Sequence, residues 1–256
     1  YYADFAPLSA LVKAATRGFV HDGTWSSVRG RDHGRPIDPR IPTWRLVTYS
    51  QDHDQIGNRA AGDRLSQTLD EGGLRIAAVL TLLAPYTPML FMGEEWAAST
   101  AWQFFTSHPE PELAKATAEG RLAEFEAMGW DESVVPDPQD PDTFARSHLD
   151  WAEVTAPDSD PRHRRTLDLY RRLAELRRAL PDLTDPDFTA LSAEADEDAR
   201  TFVLHRGAVD IVVNFGTDAV AMETGTGNLV LTTDDAVSVH SGRITLPARS
   251  AAVMTR

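Results

Sequence analysis

The residues best suited to chemistry lie together at Gln51-Asp52-His53-Asp54-Gln55, with Gly57 and Asn58 just beyond to turn the chain. Two carboxylates, an imidazole and two carboxamides in one run admit several roles. A His and an Asp can simply cap the following turn through local backbone hydrogen bonds. His53, Asp52 and Asp54 are metal-ligating types. However, neighbours on an extended strand point to opposite sides and no second His/Asp cluster has ligand spacing, so no metal is expected. A Ser–His–Asp triad lacks its nucleophile elbow. Glycoside chemistry remains: a carboxylate beside an oxocarbenium-like transition state stabilises positive charge, while His and Gln hold ring hydroxyls.

Such groups need an element to deliver them. Residues 46–49, Leu-Val-Thr-Tyr, read as a short buried strand that ends where the polar run begins. The pattern recurs at residues 88–92, Pro-Met-Leu-Phe-Met, followed at once by Gly93-Glu94-Glu95-Trp96. Between them residues 74–83 form a strongly apolar helix, introduced by Gly72-Gly73 and ended before Pro85, with a short helical turn expected at 65–69. Strand, helix, strand, with polar groups at the same strand end, is the pattern of a parallel α/β sheet or barrel, whose ligands sit at the C-terminal strand ends.

The flanking segments extend this reading. Residues 8–17 carry apolar side chains at helical spacing with Gly18 as a stop. Residues 23–40 are a long polar loop rich in Gly, Arg and Pro; Trp25, Arg29, Arg31 and His33 within it are sugar-compatible, or else solvated. Residues 97–160 form an irregular, aromatic-rich insertion. Its helix over 111–128 places Ala114, Ala118, Leu122, Phe125 and Met128 on one face, and Gly120 is a point where it could divide. The best helix spans 164–180, with Leu167, Tyr170, Leu173, Leu176 and Leu180 as its stripe and arginines coating the other side. Beyond Pro181 come short β-type runs at 188–191, 201–206, 209–215, 228–232, 236–240, 243–246 and 251–254, an antiparallel sandwich by their spacing. The division falls near 182–187, giving domains 1–182 and 183–256.

Composition narrows the partners. The chain has 256 residues, 42% apolar and 25% charged, and a net charge of −14. No basic stripe is present to bind nucleic acid, whereas a neutral sugar is compatible with this balance. There is no cysteine, so disulfides, thiolate metal sites and a cysteine nucleophile are excluded. No apolar run approaches the roughly 18 residues of a membrane span and no signal peptide is evident, so a cytoplasmic location is expected. No cofactor is expected, and the oligomeric state is open.

The run Gln51–Gln55 resembles the signature region after barrel strand seven of the alpha-amylase superfamily, and Pro88-Met89-Leu90-Phe91-Met92-Gly93-Glu94-Glu95 resembles its strand eight. A narrower resemblance, to the malto-oligosyltrehalose trehalohydrolase family, is carried by Tyr1-Tyr2-Ala3-Asp4-Phe5, Gly18-Phe19-Val20-His21-Asp22-Gly23, Arg29-Gly30-Arg31 and Gln55-Ile56-Gly57-Asn58-Arg59. Phe104-Phe105-Thr106-Ser107-His108-Pro109 and Gly129-Trp130 add to it. Together these cover most of residues 1–182. One departure is Asp52, where the superfamily usually has Asn.

The resemblance implies the C-terminal part of a (β/α)8 TIM barrel, about strand seven to helix eight with an insertion, followed by a small antiparallel β-sandwich. It implies retaining hydrolysis of the α-1,4 bond next to the trehalose end of malto-oligosyltrehalose or a related α-glucan. Asp54 is then the third catalytic carboxylate, His53 and Gln55 bind the sugar, and Arg29 and Tyr2 are aglycone-side contacts. The nucleophile after strand four and the acid/base after strand five have no counterpart here. The chain is therefore expected to be inactive alone, with strands seven and eight exposing apolar edges. Glu94 and Glu95 either contact sugar or close the barrel end, and Trp96, Trp102 and Phe104 are expected chiefly to pack. Branching or amylase-type activity on α-glucans, or a non-catalytic carbohydrate-binding fragment, are the alternatives.

Overall fold

A computed structural model describes residues 2–127, 134–225 and 227–256. The expectations resting on Tyr1, Met128, Gly129 and Trp130 lie outside them. Described helices are α1 (Leu8–Arg17), α2 (His53–Gly57), α3 (Leu65–Thr68), α4 (Glu71–Leu83), α5 (Pro111–Ala127), α6 (Pro141–Arg146), α7 (Ala152–Thr155) and α8 (Pro161–Ala179). Described strands are β1 (Thr24–Ser26), β2 (Arg31–His33), β3 (Val47–Thr48), β4 (Thr87–Pro88), β5 (Leu191–Asp196) and β6 (Thr201–Arg206). They continue as β7 (Val209–Asn214), β8 (Val220–Glu223), β9 (Asn228–Thr232), β10 (Ser238–His240), β11 (Arg243–Leu246) and β12 (Ser250–Thr255). Two compact units divide the described residues: one from 2–48, 71–89 and 169–256, the other from 49–70 and 90–168.

In the first unit β5-β6-β7-β12-β9 form an antiparallel sheet and β10-β11-β8 a second one. The larger sheet is covered on both faces, and strand alternation sorts its side chains between two cores. Phe202, Leu204, Ile211, Val213, Ala251 and Val253 pack with Ile76, Val79, Leu82 and Leu83 of α4 and with Leu169, Tyr170 and Leu173 of α8. The intervening Val203, Val212, Ala252 and Met254 pack with Ile244 and Leu246 of the smaller sheet. This is why these strands read as continuous apolar runs.

Strand β3 pairs with β4 in parallel, Val47 opposite Thr87 and Thr48 opposite Pro88, with α4 between them in sequence. Bonds from Thr87 N–H to the Leu46 carbonyl (2.9 Å) and from Met89 N–H to the Thr48 carbonyl (2.8 Å) complete the pair. The expected burial of these strands is corrected. Val47 is 54% exposed, and Met89, Leu90 and Met92 are exposed as well. Each strand has a neighbour on one side only among the described residues, so the other edge and face are uncovered.

Several further expectations are corrected. The polar stretch 23–40 contains a hairpin, β1–β2, with Trp25 opposite Asp32. Its turn is held by the Asp4 carboxylate, which accepts from the Ser27 N–H at 2.8 Å, and by Gly30 in the left-handed region (φ 60°). Strand β8 lies between the expected runs at 209–215 and 228–232, where no strand was expected. Residues 188–190 form a 3-10 turn, because the Asp187 side chain accepts from the Thr189 N–H at 2.8 Å and starts a helical turn. Gly72 and Gly73 lie inside α4; a Cβ on Gly72 would approach the Arg249 carbonyl oxygen to 2.5 Å, so only glycine permits that contact.

Not every arginine of α8 is on its solvent side. Arg177 donates to the carbonyls of Leu82 (2.7 Å), Ala84 (2.7 Å) and Tyr86 (2.8 Å). Arg206 of β6 donates to those of Leu83 and Ala84, both at 3.0 Å. The last carbonyls of a helix have no partner within it, and in α4 two cations serve those of Leu82 and Leu83 and the Ala84 and Tyr86 carbonyls just beyond. No described helix is long and apolar enough to cross a membrane.

In the second unit α5 runs through Gly120 without a break. Among the described side chains its buried positions are Arg121 and Phe125, whereas Leu122, expected on the inner face, is exposed. The guanidinium of Arg121 stacks on Phe104 (4.4 Å) and Phe125 (4.6 Å), so an arginine takes the place of a leucine in the stripe.

Candidate active site

The candidate site is built on α2, a helix too short to persist without tertiary support. At its start the Asp52 carboxylate accepts from the Gln55 backbone N–H at 2.7 Å, so Asp52 is the N-cap. His53 and Asp54 form the first turn and point outward, with side chains 67% and 75% exposed, and His53 Nε2 lies 3.3 Å from Asp54 Oδ1. Gln55 is also exposed. On the inner side Ile56 and Ala60 are buried. Gln51 is buried too, and its Oε1 accepts from the Leu65 N–H at 3.3 Å. The polar run is thus divided. Gln51 and Asp52 hold the backbone, and His53, Asp54 and Gln55 face outward, where an exposed carboxylate and imidazole can meet a ligand's hydroxyls.

Beneath α2 is an aromatic bed. A Cβ on Gly57 would lie 3.6 Å from the Trp102 indole, and Trp102 packs edge-on to Phe91 (5.4 Å) and Phe105 (5.3 Å). Arg121 donates from Nη2 to the Gly57 carbonyl at the end of α2. Arg64, only 1% exposed, donates from Nε to the Thr100 carbonyl (2.5 Å) and from Nη1 to that of Met92 (2.8 Å). Its guanidinium lies over Phe91 at 5.0 Å, and burial pulls its pKa below the usual arginine value.

Glu94, which is buried, accepts from the Phe91 N–H (3.1 Å), and Glu95 accepts from the Gly93 N–H (2.9 Å). Trp96 is buried and donates from Nε1 to Glu153 at 3.0 Å. Among the described residues no group of three or more His, Asp or Glu side chains is placed to hold a metal.

Arg29 and Tyr2 are exposed in the first unit. Arg29 lies in the β1–β2 turn and Tyr2 directly precedes the 3-10 turn Ala3–Phe5; the Asp4–Ser27 bond ties these two segments together. His53, Asp54 and Gln55 belong to the second unit.

With this geometry in place, comparison with known proteins is informative. Residues 186–253 match a family model described as a domain of unknown function, DUF3459. A curated relative from Rhizobium sp. (strain M-11), a malto-oligosyltrehalose trehalohydrolase, is 56% identical over 99% of this chain and 42% of its own length. The chain is similar, over nearly its whole length, to malto-oligosyltrehalose trehalohydrolase. A second trehalohydrolase, from Arthrobacter ramosus, is 60% identical over 83% of this chain and 36% of its own length. The chain thus spans less than half the length of the curated trehalohydrolases it matches. A solved structure described as a putative alpha amylase from Salmonella typhimurium has a TM-score of 0.85 and 29% identity, covering 100% of this chain and 43% of that one. The chain therefore has the fold of a segment of an alpha-amylase-type protein, with helices and antiparallel sheets.

Sequence reasoning missed Arg121 and Arg64. For Arg121 the signal was present: with Ala114, Ala118 and Phe125 it keeps helical spacing, four, three and four apart, and so lies on the buried face. For Arg64 nothing local marks a buried residue, since its partners lie 28 and 36 positions away.

Proposed function

We propose that this chain is the C-terminal portion of a glycoside hydrolase that cleaves the α-1,4-glucosidic bond next to the trehalose end of malto-oligosyltrehalose, releasing trehalose by a retaining mechanism. The observation that carries this reading is the exposed His53–Asp54 pair on the first turn of α2, held there by the Asp52 cap, in a chain similar to trehalohydrolases. In the proposed assignment β3 and β4 are barrel strands seven and eight, supported by their parallel pairing with α4 between them. Residues 1–182 are then barrel, with an insertion at about 97–160, and 183–256 an all-β domain.

Asp54, ionised, stabilises the positive charge that develops on the sugar ring in the transition state. His53 donates to hydroxyls of the ring being cleaved, and Gln55 lends a carboxamide beside them. Arg29 and Tyr2 contact the aglycone side. The nucleophile and the acid/base come from other residues of the full-length enzyme, so the isolated segment is expected to release no trehalose. A malto-oligosyltrehalose is the substrate; no cofactor, metal, nucleic acid or membrane takes part, and the location is the cytoplasm.

The test uses the full-length enzyme. Asp54→Asn lowers kcat for trehalose release by several powers of ten with the fold unchanged by circular dichroism; activity within tenfold of wild type removes Asp54 from this role. The similarity to a putative alpha amylase favours an amylase-type activity as the second reading. Products from malto-oligosyltrehalose and from maltoheptaose separate the two. A binding-module role for 183–256 is disfavoured, because Phe188 and Phe202 are buried and Phe215 packs against the core.

A further inference from the structure

We infer that Arg121 is a positioning residue for the proposed active site, a cationic brace that fixes the outward-facing turn of α2 by holding its far end. The inference rests on the reading of Asp54 and His53 given above and adds to it a control element outside the polar run.

The argument begins with the weakness of α2. Its described length is His53–Gly57, so each end carries unsatisfied backbone groups and little hydrogen bonding lies within it. The N-terminal end is capped by Asp52. At the other end the Gly57 carbonyl is an acceptor with no continuing helix, and the donor it meets is Arg121 Nη2. A charge-assisted bond to an otherwise unsatisfied carbonyl is among the stronger contacts a short helix can make.

The donor is itself held in place. Arg121 is 9% exposed, and its guanidinium lies against two phenyl rings, Phe104 at 4.4 Å and Phe125 at 4.6 Å. Phe125 belongs with Ala60, three residues beyond Gly57, in one small core cluster. Brace and helix therefore share a floor. The Trp102 ring closes the remaining side of Gly57, at the distance of an ordinary van der Waals contact from any Cβ placed there.

Burying a guanidinium is costly unless it is paired. An apolar residue at 121 would fill the stripe of α5 and leave the Gly57 carbonyl without its donor. The cation thus has a directional task that packing alone does not require. His53 and Asp54 lie four and three residues before Gly57, so one turn of helix links the brace to the catalytic carboxylate. A shift near 1 Å at a catalytic group is enough to cost about a hundredfold in rate.

The test is made in the full-length enzyme with Arg121→Met and Arg121→Lys, the lysine keeping a cation that can donate to Gly57. Two readouts are taken: kcat and KM for trehalose release, and hydrogen–deuterium exchange of the amides of residues 55–59. The inference expects R121M to lose at least tenfold in kcat with KM within threefold, to exchange those amides at least tenfold faster, and R121K to restore much of both. R121M with kcat within threefold of wild type, or with unchanged protection of 55–59, overturns it. If R121M does not fold, the lysine variant decides: wild-type exchange with kcat at least a third of wild type supports the brace, and a larger loss refutes it. If the wild-type enzyme releases no trehalose, the functional reading fails, and the exchange arm alone still decides whether Arg121 holds α2.

Discussion

Replacing Arg206 by methionine should weaken the first unit only modestly, and less than the same change at Arg177. Both arginines serve the end of α4. Arg206 makes two bonds to backbone carbonyls, at 3.0 Å each, and Arg177 makes three, at 2.7–2.8 Å. A hydrogen bond to a charged group contributes about 1.5–3 kcal/mol, so R206M forfeits about 3–6 kcal/mol. Burial first, and then the nearby Arg177 charge, pull the Arg206 pKa down from the usual guanidinium value to about 10. At about 1.4 kcal/mol per tenfold change in acidity, holding it charged costs about 3 kcal/mol, which methionine recovers. The net loss is then about 0–3 kcal/mol. Arg177 forfeits about 4.5–9 kcal/mol by the same rule, and burial alone opposes its charge. Its loss also leaves the Leu82 and Tyr86 carbonyls without this donor, whereas the Ala84 carbonyl is shared and survives either change. Urea denaturation of wild type, R206M, R177M and the double variant, compared at constant m, gives the three differences. An R206M protein as damaged as R177M, or one more stable than wild type, would refute this balance of terms.

Other outcomes follow from single contacts. Asp52→Asn should leave stability within about 0.5 kcal/mol, since Asn caps as well as Asp, while Asp52→Ala should cost about 1 kcal/mol; amide protection across α2 measures both. Asp4 has its pKa held below 3.8, first by the Ser27 backbone N–H that it accepts and then by the Ser27 side chain. A carboxylate lowered on folding stabilises above its unfolded pKa, and that stability is lost as pH falls through the lowered folded value. Protection of the Ser27 amide should therefore be full above about pH 4 and be lost only as pH falls further, through the lowered folded value, and Asp4→Asn should abolish that dependence.

Much of this was legible in the residues. Helix α1 and strands β6, β9 and β11 fall where periodicity places them, because their apolar spacing is set by the layers that they contact. The β1–β2 hairpin was hidden, since its strands are polar and its turn is held by Asp4, more than twenty residues earlier. The lengths of β3 and β4 were overestimated because apolar character predicts burial only where a neighbour exists to provide it. Within the candidate site the division of labour was unreadable. The run Gln51–Gln55 contains two residues that hold backbone and three that face outward, and only the start of α2 at His53 separates them.

In most sheets a slip of one residue is forbidden by polarity, since it would turn the greasy face to water. Along the middle of β6 and β7 that penalty is missing. Successive residues Phe202, Val203 and Leu204, and likewise Ile211, Val212 and Val213, are all apolar, and each neighbour serves a different core. Over this middle stretch a slipped pairing would exchange one apolar set for the other, a phenylalanine offered to a space cut for valine, and polarity opposes the slip only at the strand ends, through buried Arg206 and Asn214. The correct pairing must then be chosen where the two strands meet, at the Gly207–Ala208 turn, whose first residue has φ 56°. Gly207 also lies against Asp182, where a Cβ would come within 2.5 Å of the carboxyl carbon, and that carboxylate accepts from the Ala208 N–H at 2.8 Å. Errors of alignment in this domain should thus begin at that corner, with a molecule that is fully collapsed and wrongly threaded.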